Sequence, residues 1–561
     1  MIRRMASSVP VRGRWSRGPR RADELRIRGR LRDLGAPYQP GLHWSRGEDP
    51  ALEFPTERTC LLTTLRSAEL GLTPQRARLA IGLIAVGALV LRLLPLLLPG
   101  GPLAYVVNYD EGTYFSDSAL LMRGVLPYRD FIFVHPPGLL VLLAPITSWA
   151  RTGDVAAALA ATRYLATLVG AANAALAGAV ALRAFGPLAG VSAALLYATF
   201  PEAVREERGP FLEPVLNLAC LAMAWVWLRA GSRRQYFAAG LFGGLALSVK
   251  TWGAIWLVAA LAALPRGRRL AAGAWFLAGM AAALALLILP FVLAAPRDFL
   301  AQVVGFHLVR GPQGVNDVIP RLVDMNLRHP ITSILALTGF ALVVAALRKG
   351  NNSAGRFFAL VLALTVASFL VAPIYFHRYA SFLAPSAAVL GGLGVAWIHE
   401  RTRARTRWAA LAPAMVLLAA GSQAAFDLVT TRRFRAPEQL ALAAVIRETV
   451  PSDARLFALE PGWILVAGRL PDAREGILGS WAGIQTPQFL AALKADHSPE
   501  AVRAANTTAE LETRRFLEGY HFFVSGDWPL DQETKAWLER RWIKRYPLAG
   551  QRGLGLWEQR P

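Results

Sequence analysis

Cysteine is almost missing from this 561-residue chain, with only Cys60 near the amino terminus and Cys220 inside an apolar run. Two thiols so placed exclude a disulfide framework and a thiolate metal site. Acids are scarce too: 38 Asp and Glu stand against 61 Lys and Arg, a formal net charge of +23. The excess does not point to nucleic acid, because no basic patch is interleaved with stacking aromatics on a soluble stretch. It lies mostly in an Arg-rich amino-terminal segment and in short loops. No signal peptide is expected either, since the first long apolar run begins only near Leu79.

Apolar residues are what the chain has in quantity. They make up 54% of it and give a mean hydropathy of +0.36, too apolar for an ordinary soluble domain. They cluster in runs of about 15–25 residues with almost no charge, the length a helix needs to span hydrocarbon. The expected fold class is an α-helical polytopic membrane protein of about eleven transmembrane helices plus interfacial helices, with a small carboxyl-terminal α/β domain. The spans start at 79–99, and a short helix at 137–149 reads as interfacial. They continue near 157–182, 187–204, 211–228, 236–249, 252–264, 272–295, 331–347, 357–374, 380–398 and 408–427. Residues 1–78 carry sixteen arginines and no sustained periodicity, and read as a disordered cytoplasmic tail.

Arg and Lys order the loops. Alternating sides from a cytoplasmic amino terminus places Arg183, Arg229, Arg233, Arg234, Arg266, Arg268, Arg269, Arg348, Lys349, Arg356, Arg401, Arg403, Arg405 and Arg407 inside. The outer loops balance cations with acids, as in Arg205 and Arg208 beside Glu206, Glu207 and Glu213. That asymmetry follows the positive-inside rule. It predicts a multi-pass protein of the inner (plasma) membrane with a periplasmic or extracellular carboxyl-terminal domain.

The same topology collects the chemistry on the outer side. The segment from Asn108-Tyr109-Asp110-Glu111-Gly112 through Tyr128-Arg129-Asp130-Phe131 to His135-Pro136-Pro137-Gly138 lies in a first outer loop, residues 100–150. Ionisable groups at a bilayer surface are costly unless paired or facing a water-filled cavity. An acidic pair there suggests a base or an electrostatic partner for a reacting group. Lys250, in Ser248-Val249-Lys250-Thr251-Trp252-Gly253, fits a tight outer hairpin and equally a lysine snorkelling to the headgroups. Tyr375-Phe376-His377-Arg378-Tyr379 fits a site and equally an interfacial aromatic belt. His135, beside two prolines, also fits a loop-fixing role.

After residue 428 the pattern changes. Helical periodicity is expected over 437–449 and 531–542, and strands over 455–459, 521–524 and 553–558. About 125 residues suffice for one small α/β domain. It holds no Gly-rich phosphate loop and no metal-ligand spacing, so packing, capping or acceptor guiding is its expected role. The domains are thus 1–78, 79–427 and 428–561.

The motifs Asp110-Glu111-Gly112-x-Tyr114, Gly124-x-x-x-Tyr128-x-Asp130-Phe131 and His135-Pro136-Pro137-Gly138 resemble the first outer loop of the GT-C membrane glycosyltransferases. The nearest groups are the protein O-mannosyltransferases and the aminoarabinose transferases of lipid A. The likeness extends over roughly 79–400 and takes in Arg208 to Glu213, Gly244 to Lys250, and Arg378-Tyr379. The Leu-Gly-Lys continuation usual in protein O-mannosyltransferases is missing after Gly138. The resemblance implies inverting transfer of a hexose or pentose from a polyprenyl-phosphate donor to a lipid, glycan or protein acceptor, with membrane lipids as partners and no nucleic acid. The chemistry then asks for cations on the phosphate, with Lys250, Arg378, Arg208 and Arg129 as candidates. It asks for a carboxylate to take the acceptor proton, Asp110 with Glu111 beside it. Glu213, Asp130, His135, Tyr128 and His377 are candidates for orienting the acceptor or the loop. No cofactor is demanded; the outer carboxylates are compatible with a divalent metal. The other readings of such a chain are a transporter or flippase of a lipid-linked saccharide and a non-catalytic envelope scaffold.

Overall fold

The computed structural model describes residues 72–105, 109–264, 269–309, 313–315, 317–347, 352–403, 408, 410–431, 437–458, 460–470, 514, 517–525, 532–547 and 555–561. The expected amino-terminal tail lies almost wholly outside them, as does Asn108. The described residues all belong to one compact unit.

Helix α1 (Pro74–Leu97) starts where Thr73 accepts a hydrogen bond from the Arg76 amide and Pro74 takes the first helical position. Across the first outer loop lie α2 (Tyr109–Leu121) and α3 (Gly138–Thr147). Next come α4 (Val155–Phe185), capped by Asp154, then α5 (Pro187–Ala198), α6 (Pro201–Glu206) and α7 (Leu212–Trp227). Helix α8 (Arg233–Val249) opens with a capping box from Ser232 and Gln235, and is followed by α9 (Gly253–Ala262) and α10 (Arg269–Leu287). Short pieces α11 (Leu289–Ala294), α12 (Pro296–Leu300) and α13 (Phe306–Val309) precede the two-residue strand β1 (Gln313–Gly314) and α14 (Val318–Leu327). Helices α15 (Pro330–Leu347) and α16 (Ser353–Val371), strand β2 (Ile374–Tyr375), α17 (Ala384–Thr402) and α18 (Leu411–Thr431) complete the bundle.

Among the described residues, six helices are long and apolar enough to cross a membrane: α1, α4, α10, α15, α16 and α18. The chain is a multi-pass membrane protein. The expected span 187–204 is interrupted at Thr199-Phe200-Pro201, because Pro201 cannot continue a helix and starts a new one. At twelve and ten residues, α5 and α9 are shorter than a single straight crossing of about 30 Å requires.

Glycines bring the helices together. A Cβ on Gly240 would lie 1.9 Å from the Phe276 carbonyl oxygen, and one on Gly279 would lie 2.0 Å from that of Phe237. Helices α8 and α10 therefore cross backbone to backbone, the small-residue packing that substitutes for a hydrophobic drive inside lipid. Gly339 and Gly394 do the same for α15 and α17. Buried Arg321 of α14 donates to the Phe369 and Ala372 carbonyls at 2.9 and 2.5 Å, satisfying the open carbonyl end of α16.

The carboxyl-terminal region holds α19 (Pro437–Thr449), β3 (Leu456–Ala458), α20 (Gly462–Val466), β4 (Phe522–Val524), α21 (Gln532–Arg541), β5 (Trp542–Pro547) and β6 (Gly555–Gln559). Its sheet runs β3-β4-β6-β5, parallel at β3–β4 and antiparallel elsewhere. The expected helices and strands are there; β5 and α20 are additional. One face of this region shares a core with the bundle, in which Leu442, Ile446, Trp463 and Ile464 pack with Phe115, Val155 and Leu159.

Candidate active site

The acidic pair of the first outer loop does not stand in an open loop. Asp110 and Glu111 occupy the first turn of α2, where the positive end of the helix dipole favours carboxylates. Successive helical residues point about 100° apart, so neighbours face different surroundings. Asp110 pairs with the Arg378 guanidinium at 2.7 Å, both side chains about one-fifth exposed. Glu111 turns the other way, into the protein. Both its oxygens are taken by Arg163 of α4, at 2.6 and 2.9 Å, and the pair is fully buried. The structure therefore separates the two expected catalytic carboxylates, leaving Asp110 at the accessible site and Glu111 in an internal brace.

Lys250 ends α8 and points inward, to a 2.5 Å ion pair with Glu213 in the first turn of α7. Its ammonium lies 3.6 Å from the Trp252 ring centroid and 4.8 Å from that of Tyr379. The burial and the cage answer the snorkelling alternative: this lysine is not reaching for headgroups. Tyr114, one turn on from Asp110, lies in the combined field of Asp110, Glu213, Arg378 and Tyr379. Asp110, Arg378, Glu213 and Lys250 thus form a single cluster walled by Tyr114, Trp252 and Tyr379.

A fifth ionisable member is Glu206, at the end of α6 and outside the membrane-spanning helices. It is buried, and its Oε2 accepts no hydrogen bond among the described residues. Burial pushes its carboxyl up to about 8, helped by Glu213 and Asp110 and opposed by Arg378 and Arg205. Near neutral pH it is mostly protonated, so the cluster balances two cations against two carboxylates. In the sequence Glu206 reads only as a loop counter-charge, and nothing there marks Trp252 as a wall. The Glu206-Glu207-Arg208 run carried a signal, because three adjacent charges on so short a helix end must face three directions. Glu207 goes to buried Arg92 of α1 and accepts from Tyr197 at 2.7 Å.

The other expected site residues are placed elsewhere. Arg208 is committed to Asp427 of α18 at 2.5 and 2.9 Å, and to the Leu91 carbonyl at 3.0 Å. It fastens the α6–α7 turn to α1 and α18, and is not in the cluster. Arg129 pairs with its neighbour Asp130 at 2.7 Å, half exposed. Asp130 also accepts from the Leu126 amide at 2.8 Å, and Arg129 foremost holds its carboxyl below the usual range. The pair closes a turn.

Tyr128 and His135 shape that loop. Tyr128 has φ +70°, rare for a bulky residue; its amide donates to the Phe131 carbonyl and its hydroxyl to that of His135 at 2.6 Å. His135 stacks on His307 at 5.6 Å and meets the edge of Tyr114 at 6.1 Å. Gln302 completes the tie, accepting from the Phe133 amide and donating to the Tyr128 carbonyl. His377 stands next to Arg378 but faces Arg205 at 3.2 Å. Burial, with Arg205 and Arg328 beside it, lowers its imidazole to about 4, so it is neutral and its Nε2 can accept from Arg205.

No group of three or more His, Cys, Asp or Glu arranged to hold a metal ion occurs among the described residues. The cations of the cluster are Arg378 and Lys250. Carboxylates within the same cluster are placed to accept a proton or to orient a hydroxyl.

No family model matches the sequence, and no curated protein matches it. Solved structures do. ArnT from Cupriavidus metallidurans bound to undecaprenyl phosphate superposes at a TM-score of 0.55 and 14% identity, covering 85% of this chain and 97% of that one. The oligosaccharyltransferase of Archaeoglobus fulgidus in its apo form gives 0.52 at 12% identity, with 82% and 70% covered. Archaeal AglB from the same organism, in complex with an inhibitory peptide and a dolichol-phosphate, gives 0.51 at 13% identity, with 80% and 69% covered. The chain has the GT-C-like fold of membrane glycosyltransferases.

Proposed function

We propose that this protein is an inverting glycosyltransferase that moves a sugar from a polyprenyl-phosphate-linked donor to an acceptor hydroxyl of an envelope lipid, glycan or protein. The observation that carries the reading is the paired cluster Asp110–Arg378 and Glu213–Lys250 at one end of a GT-C-like bundle. The ArnT structure that this fold matches over nearly its whole length holds undecaprenyl phosphate.

Each side chain has a role in that chemistry. The donor phosphate takes charge from Arg378 and Lys250, which gain strength as negative charge builds on the leaving oxygen. Arg378 can be shared between phosphate and Asp110, which loosens Asp110 for proton transfer only once the donor is seated. The acceptor oxygen then forms its bond to the anomeric carbon while the carbon–oxygen bond to phosphate breaks. The electron pair of that bond leaves with the lipid phosphate, and the acceptor proton passes to the Asp110 carboxylate. A single displacement needs one base and inverts the anomeric centre. Glu213 and the rings of Trp252 and Tyr379 hold Lys250 in place. Glu111, Arg208 and Arg129 are braces in this reading and not members of the reacting set.

Transfer is measured in purified, lipid-reconstituted protein with a panel of radiolabelled polyprenyl-phosphate sugars and total envelope extract as acceptor. Asp110→Asn is expected to abolish transfer by at least about a hundredfold while insertion and folding persist. Full transfer by Asp110→Asn overturns Asp110 as base. Wild-type protein that is folded, moves no sugar from any donor and shows saccharide-lipid flux overturns the transferase reading.

A further inference from the structure

Helix α2 has two faces with different neighbours. Asp110 and Tyr114 lie on one side, toward Arg378 and the bundle. Gly112 and Phe115 lie about 140–200° around the helix, on the opposite side. A Cβ on Gly112 would stand 2.5 Å from the Gly462 nitrogen, 2.9 Å from Gly462 Cα and 3.3 Å from the Pro461 carbonyl carbon. All three are backbone atoms, so no side-chain rotation could relieve the contact. Phe115 is wholly buried among Leu442, Ile446, Trp463 and Ile464 of the carboxyl-terminal region.

The contact surface is itself fixed. Gly462 begins α20, whose following residue Trp463 is buried and donates its indole N–H to the Glu460 carboxylate at 3.1 Å. The Ile464 and Leu465 amides both donate to the Pro461 carbonyl at 3.1 Å, closing the turn that bears Gly462. This short helix is wedged against α2 and α4 at once. On its bundle side α2 carries the partly exposed ion pair Asp110–Arg378, buried Tyr114 and the Ser118 hydroxyl donating to the Leu140 carbonyl at 2.8 Å; from the side it is braced by buried Glu111–Arg163.

We propose that the carboxyl-terminal region is a positioning element for the acidic helix: α20 sets how far α2 stands into the bundle, and so the alignment of Asp110 on Arg378 and the acceptor. The idea rests on the transferase reading for its catalytic consequence, but its mechanical half does not. Acceptor guiding is not needed to explain why this region is present. The absence of a side chain at position 112 is the device, since any Cβ must move α2, α20 or both.

The test uses full-length protein in lipid with three variants. Gly112→Ala adds the obstructing Cβ and Phe115→Ala empties the shared core. Phe523→Leu disturbs the separate core of Phe457, Tyr520 and Trp542 on the other side of the sheet. Gly112→Ala is expected to lower kcat at least about tenfold with the donor KM within about twofold, because misplacement of about 1 Å is enough for such losses. Amide hydrogen exchange over 109–121 is expected to quicken in Gly112→Ala and Phe115→Ala and not in Phe523→Leu. Phe523→Leu is expected to lower thermal stability while keeping kcat within about twofold. Unchanged α2 exchange and wild-type kcat in Gly112→Ala overturn the proposal. So does an equal kcat loss in Phe523→Leu at matched stability. A wild type inactive on every donor, with the exchange pattern as expected, defeats the transferase reading and upholds the mechanical coupling.

Discussion

Lys250 carries two obligations that substitution can separate. It is buried against Glu213 at 2.5 Å, so removing its charge alone strands a carboxylate in a dry site, at a cost of about 3–5 kcal/mol. Lys250→Met is therefore expected to lose both stability and transfer. The double variant Lys250→Met with Glu213→Gln removes both charges and is expected to regain most of the melting temperature while transfer stays depressed at least about tenfold. Recovery of transfer in the double variant overturns Lys250 as a phosphate ligand. Glu206 gives a second test, through pH. Its carboxyl is raised from an ordinary value near 4.5 to about 8, so the folded state holds a proton that the unfolded state has already released. Stability from this group is fully present below about pH 4.5 and is lost as pH rises through about 8. Glu202, on the same short helix, is raised to about 7 by burial and acts in the same direction over a narrower window. The comparison of interest is between wild type and Glu206→Gln, in which Glu202 cancels. The fall in melting temperature from about pH 5 to about pH 9 is expected to be smaller in Glu206→Gln, by differential scanning calorimetry. Equal falls overturn the raised carboxyl.

Helices in this bundle are placed by what they lack as much as by what they present. Gly240 and Gly244 sit one turn apart on α8, and Cβ atoms there would meet the Phe276 and Met280 carbonyls at 1.9 and 2.6 Å. Gly240→Leu is expected to force α8 and α10 apart at a cost of about 1–3 kcal/mol, read as a lower yield of folded protein in detergent and a lower melting temperature. Unchanged melting shows that the crossing is loose. Such glycines are visible in the sequence, yet which helix each one meets is not. The same divide runs through the site. The spans near 211–228 and 236–249 were legible as apolar runs and appear as α7 and α8, since periodicity and length are local properties. The pairing of Glu111 with Arg163 joins residues 52 apart, and that of Arg208 with Asp427 joins residues 219 apart. Neither pair leaves a local trace, so Glu111 and Arg208 looked as reactive in the sequence as Asp110 and Arg378. Helical phase alone would have split Asp110 from Glu111, had the first outer loop been read as a helix there; its Pro-rich, aromatic composition hid that turn.

At the scale of the whole molecule, the distribution of charge and the position of the site give one orientation. Helix α8 runs seventeen residues from Arg233 to Val249, about 25 Å of rise, so the basic turn at Arg233 and Arg234 lies a full helix length from Lys250. Helix α17 repeats the arrangement: its start adjoins the short helix bearing Arg378, and Arg401 lies in its last turn, nineteen residues in all. The sequence expressed this only as a bias among loops; the helices convert it into two ends, one cationic and one holding the balanced cluster. By the positive-inside rule we propose that the cationic end is cytoplasmic and that Asp110, Arg378 and the carboxyl-terminal region face out. An outward site also matches the proposed acceptor, an envelope component. The orientation can be read with a membrane-impermeant maleimide on intact cells. The background has Cys60→Ser, and the remaining native Cys220 is buried. Asp453→Cys, exposed just before β3, is expected to label on intact cells, and exposed Arg234→Cys only after permeabilisation. The reverse pattern puts Asp110 and Arg378 on the cytoplasmic face, where an envelope acceptor cannot reach them, and the acceptor class proposed here falls with it.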